Sequence, residues 1–158
     1  MTGAIDARLA ELGITLPDVA APVAVYVPAV RTGNYVYTSG QLPFVDGALP
    51  QAGKVGVGEG LVSPEDAAGY ARQCALNALA AVKGLVGSLD DVARVVKVVG
   101  FVASDPAFTG QPGVINGAST VLGEILGDAG VHARSAVGVA VLPLDSPVEV
   151  ELVVELKA

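Results

Sequence analysis

Arg134 stands in the run Val131-His132-Ala133-Arg134-Ser135-Ala136-Val137, which opens an apolar stretch after two glycines. If the stretch is extended, period-two alternation puts Val137, Val139 and Val141 on one face and Arg134, Ala136, Gly138 and Ala140 on the other. A guanidinium over so small a floor leaves open volume beside a fixed cation, and arginine grips a carboxylate with two parallel hydrogen bonds. The chemistry on offer is capture of a small carboxylate; the alternative is a rim arginine in a surface ion pair. Further on, Glu149, Glu151 and Glu155 alternate with Val148, Val150, Leu152 and Val154. Acids along one side of a strand ordinarily form a solvated face. A glutamate folded back towards Arg134 would instead act as general base on a water.

Other reactive residues carry less. Gly53-Lys54, within Gly53, Gly56, Gly58 and Gly60, lacks the Ser or Thr after lysine that a phosphate loop needs; Val55 stands there. One His and one Cys cannot build a zinc site unaided, so no metal is expected. Cys74 falls on an apolar helical stripe, which reads as packing rather than as a Cys–His pair with His132. Ser39 has no histidine near it in sequence to act as base.

The composition narrows the setting. In 158 residues, 52% are hydrophobic and only 16% charged, yet no apolar run reaches the roughly 18 residues of a membrane span. The surplus apolar surface is expected to be covered by copies of the same chain. The net charge of −7, with scattered basic residues, disfavours nucleic acid. The N-terminus lacks the basic start and apolar core of a signal peptide, and a lone cysteine fits a reducing compartment; a cytoplasmic protein is expected.

The elements that must position these residues form one domain over 1–158, with 1–21 as an N-terminal helical extension whose helix runs from about Ala4 to Leu12. Val23, Val25 and Val27 predict a first strand and Asn34–Ser39 a second, with Arg31-Thr32-Gly33-Asn34 as the hairpin turn. Leu42–Gly60 reads as a long loop holding at most a short strand at Lys54–Val57. Ser63 and Pro64 open a helix that Gly87 ends, with Ala67, Ala71, Cys74, Ala78, Val82 and Leu85 on one stripe. A strand at Val95–Ala103, a helix from Pro112 to Gly127, and strands at Ser135–Leu142 and Val148–Leu156 complete the order β-β-α-β-α-β-β. That order implies an α+β fold, its sheet mixed or antiparallel with both main helices on one face.

Two segments are similar to a known family. Gly33-Asn34-Tyr35-Val36-Tyr37-Thr38-Ser39-Gly40-Gln41-Leu42-Pro43 resembles the N-terminal signature of the YjgF/RidA family, the reactive intermediate deaminases also described as endoribonuclease L-PSP-like. Ala133 to Pro143, followed by Val148-Glu149-Val150-Glu151, resembles its C-terminal signature, so the likeness runs from Pro22 onward. The resemblance implies a chorismate-mutase-like fold and a homotrimer with clefts between subunits. It implies hydrolysis of 2-imino and enamine acids to 2-oxo acids and ammonia, without a cofactor. Matched to the family, Arg134 and the Gly40 N–H hold the substrate carboxylate, Tyr26, Ser39 and Asn116 line the pocket, and Glu149 positions water. Ala136 stands where the deaminase branch has a cysteine, and Ala24-Val25 replace its usual Gly-Pro before the tyrosine. A non-catalytic protein of the same fold, binding a small carboxylate, is the alternative; a ribonuclease is disfavoured by the acidic charge.

Overall fold

The computed structural model describes residues 3–19 and 24–158. A two-residue turn sets where the sheet begins. Gly33 has φ of +57°, a conformation glycine adopts without strain, and Thr32 pairs directly with Tyr35 across it. Strand β1 is therefore Ala29–Thr32 and β2 is Tyr35–Thr38. The first strand expected at Val23–Val27 lies elsewhere: Val23 falls outside the described residues, and 24–27 are irregular, with Val25 fully exposed. Antiparallel register across so short a turn leaves only 29–32 opposite 35–38, whatever alternation lies upstream.

Helix α2, Pro64–Val86, is capped as its sequence requires, with Ser63 Oγ accepting from the Asp66 N–H at 3.0 Å. Ala67, Ala71, Cys74, Ala78 and Val82 are buried along it, whereas Leu85, near its end, is 45% exposed. Strand β3 (Val92–Ala103) starts earlier than expected and carries two bulges. Helix α3 (Gln111–Leu126) then crosses to β4 (Ala133–Val139), which pairs parallel with β3. Strand β4 ends before Ala140 and Val141, so neither joins the alternating faces. Strand β5 (Val148–Leu156) inserts antiparallel between β2 and β3, giving the order β1-β2-β5-β3-β4. The result is the expected α+β fold with a mixed sheet. The segment expected as a strand at Lys54–Val57 makes only isolated bridges from Val55.

Burial follows the alternation of β5. Val148, Val150, Leu152, Val154 and Leu156 are buried with the helices, while Glu149, Glu151, Val153 and Glu155 take the other, partly open face. Tyr35, Tyr37 and Val137 are exposed and large. Helix α1 (Ala4–Glu11) is helical over eight residues, with 14–19 irregular, and it is docked. Leu9 is buried, and Lys83 Nζ meets Asp6 Oδ1 at 2.6 Å.

The two long helices touch at Gly117, where a Cβ would run into the backbone carbonyl of Ala68. Helix propensity alone favours Gly117→Ala by about 1 kcal/mol. Backbone-to-backbone contact leaves no side chain to yield, so overpacking, about 1–3 kcal/mol, should win. The variant is expected to unfold at lower denaturant with an unchanged m-value.

Candidate functional site

Strand β4 is an edge, and its alternation places Arg134, Ala136 and Gly138 towards α3. Arg134 Nη1 donates to Asn116 Oδ1 at 2.8 Å and to Ser119 Oγ at 3.2 Å. Ala136 packs against the core, and a Cβ at Gly138 would press on Gln111 Nε2 and Ser104 Oγ. Asn116 and Ser119 are three residues apart on α3, the spacing that brings two side chains to one helix face.

This pairing decides how Arg134 can bind a ligand. Nη1 carries two hydrogens, and both acceptors are side chains of this chain. An end-on grip would need one of those hydrogens. The side-on fork, formed by Nε–H and Nη2–H, meets no acceptor among the described residues, and it matches the two oxygens of a carboxylate.

Sequence reasoning missed Ser119 and gave His132 no role beside Arg134. Ser119 Oγ lies 2.9 Å from His132 Nε2, and His132 Nδ1 lies 2.6 Å from the Gly130 carbonyl oxygen. The signal was present in two periodicities: His132 is two residues before Arg134 on an extended run, and Ser119 is one turn after Asn116. The Ser119–His132 spacing is that of a nucleophile and its base. However, Ser119 sits mid-helix, where backbone N–H groups are taken by helical hydrogen bonds and cannot form an oxyanion hole.

A second cluster gathers where β2 leaves the sheet. Gln41 and Val150 exchange backbone hydrogen bonds of 2.8 and 3.0 Å, which lays Gly40 beside Glu149. A Cβ on Gly40 would occupy the place of the Glu149 carboxylate, so only glycine fits. Ser39 Oγ donates to the Val27 carbonyl at 2.7 Å and ties the segment bearing the exposed Tyr26 to this end of the sheet. Burial pushes the Glu149 carboxyl above its ordinary range, and the charge of Glu151 adds to the shift. Cys74 is wholly buried, its thiol held well above the usual range by burial and then by Glu149, which makes it packing.

Within one chain the two clusters do not meet. Glu149 lies on the sheet face opposite the helices, and Arg134 points towards α3. The expected glutamate folding back to Arg134 is therefore not found inside a single subunit. Two clefts among the described residues, of about 410 and 330 Å³, are lined by neither residue. No group of three or more metal-ligating side chains converges among the described residues.

A family model described as YjgF/chorismate mutase-like, putative endoribonuclease, matches residues 6–156. The match takes in most of α1, so that helix belongs to the matched region rather than preceding a likeness that begins at Pro22. Protein TCP17 of Trypanosoma cruzi is 43% identical over 156 residues, covering 98% of this chain and 96% of that protein. The solved structure of protein Atu1372 from Agrobacterium tumefaciens is 46% identical, covers 97% of this chain and 92% of its own, and superposes with a TM-score of 0.87. RidA from an Antarctic Psychrobacter is 29% identical, with 88% and 94% coverage and a TM-score of 0.60.

Proposed function

The chain belongs to the YjgF/chorismate mutase-like family, and from that premise we propose that it hydrolyses small 2-imino or enamine acids to 2-oxo acids and ammonia in a pocket between subunits. The observation that carries the reading is Arg134, with Nη1 saturated by Asn116 and Ser119 and with Nε and Nη2 bonded to no acceptor among the described residues. That fork takes the substrate carboxylate. The Gly40 N–H, which bonds no acceptor among the described residues, is a further donor to it.

An imine carbon is already electrophilic, so orientation and a base for water supply most of what the reaction needs. Glu149 takes a proton from water as its oxygen bonds to the imine carbon. That proton passes to the nitrogen as the C=N π pair withdraws onto it, giving the carbinolamine. The carbinolamine hydroxyl then gives its own proton through Glu149 to the nitrogen, the C–N bond breaks as the C=O forms, and ammonia leaves. A carboxyl held above its usual range is the stronger base for this step. Tyr26 and Ser39 border the Glu149 half, and Asn116 orients the arginine half. The halves lie on opposite faces of one sheet, so they converge only between copies of the chain, for which the family resemblance gives a trimer. The exposed Tyr35, Tyr37 and Val137 supply apolar surface for such an assembly.

Ala136, without a polar atom beside the site, favours a second reading: a protein that binds a small carboxylate and does no chemistry. The deciding assay generates 2-iminopropionate in situ and traps it with semicarbazide. The expected result is that the protein lowers the yield of semicarbazone. An unchanged yield, with a 2-oxo acid still raising the melting temperature, would replace hydrolysis by binding.

A further inference from the structure

Arg134 is held by more than the asparagine facing it. The Gly130 carbonyl can only accept, so the hydrogen in its 2.6 Å contact belongs to His132 Nδ1. In the neutral ring Nε2 is then an acceptor, and it lies 2.9 Å from Ser119 Oγ. The serine hydrogen goes to that nitrogen, which turns an oxygen lone pair towards Arg134 Nη1 at 3.2 Å. The hydrogen bonds run in one sense, from Arg134 to Ser119 to His132 to Gly130. The last acceptor is fixed by backbone packing, since even a Cβ at Gly130 would strike the Leu122 carbonyl. All four residues are joined across α3, the turn after it and β4.

We propose that Ser119 and His132 are positioning residues for the Arg134 fork. The pair occupies the second Nη1 hydrogen, which Asn116 alone leaves free, and so stops the guanidinium from turning its end-on edge to the ligand. The ligand class is thereby limited to planar carboxylates taken side-on. The proposal rests on the reading that Arg134 binds the substrate carboxylate.

Two measurements test it. The nitrogen-15 spectrum of the guanidinium needs no substrate: in wild type the Arg134 Nη1 signals are expected to be slowed and resolved. In Ser119→Ala and in His132→Ala they should merge with those of freely rotating arginines. His132 is the chain's only histidine, so its ring signals report directly whether Nδ1 holds the proton. In the imine assay Ser119→Ala should raise KM about 3–10-fold, the worth of one ordinary hydrogen bond, with kcat changed less. Ser119→Thr should restore it. The Ser119→Ala/His132→Ala double variant should be no worse than Ser119→Ala, because the histidine acts only through the serine. Additive losses, or guanidinium signals indifferent to both substitutions, overturn the proposal. Ser119→Ala removes one oxygen from a helix surface and keeps the test open should removal of the ring disturb the fold. The nitrogen spectra decide the lock even if wild type proves inert towards imines, so failure of the lock and failure of the hydrolase reading are separate results.

Discussion

Arg134→Ala and Glu149→Gln, each inert alone, are expected to regain about a quarter of wild-type imine hydrolysis when refolded together in equal amounts. Loss of the fork removes two charge-assisted hydrogen bonds, a drop in kcat/KM of about 10²–10⁴-fold, and loss of a general base costs a similar factor. Recovery follows from the placement of the halves. Arg134 faces α3 and Glu149 faces away from it, and the pocket proposed above therefore takes its arginine from one subunit and its glutamate from a neighbour. With random mixing, each arginine position is intact about half the time and each neighbouring glutamate independently about half the time, hence the quarter. Absence of any recovery, with mixed oligomers verified by mass, would place both residues in one subunit's pocket and remove the intersubunit reading.

What could be read from the sequence was what local chemistry decides. Ser63, Pro64 and Gly87 delimit α2 because a cap, a proline at the first turn and a terminal glycine act within a few residues of themselves. The alternation of β5 and the small-residue floor beside Arg134 were legible for the same reason, since a strand has period two wherever it pairs. The first strand was not, because Val23, Val25 and Val27 alternate as well as a strand does. Pairing was settled instead by the turn at Gly33 and the register it imposes. The Ser119–His132 contact was hidden by the β3–α3–β4 crossover, which joins side chains 13 residues apart on different elements. Periodicity names the face a residue occupies, but not what lies across from it. The separation of Arg134 from Glu149 had the same origin: each strand's faces were readable alone, and only the order β1-β2-β5-β3-β4 relates one strand to the other.

Glu149→Gln should also leave the protein more stable than wild type at neutral pH while abolishing turnover. Burial and Glu151 hold the folded-state carboxyl above its unfolded value of about 4.3, so between the two values the folded chain binds more protons than the unfolded one. Stability therefore falls as pH rises through that window. The cost is absent below the unfolded value and fully present above the folded one. Glutamine never carries the charge, so its melting temperature should exceed that of wild type at pH 7, and the difference should close as pH falls towards about 4. The group is only partly buried, so the difference is modest, whereas the acidic limb of kcat/KM in wild type should sit above the ordinary carboxylate range. A neighbour's guanidinium across the pocket would oppose the shift by favouring the carboxylate. The same comparison in the Arg134→Ala background should then show a larger difference in melting temperature. A difference that does not widen there would mean that no arginine approaches Glu149 in the assembled protein, even if each single variant is inactive.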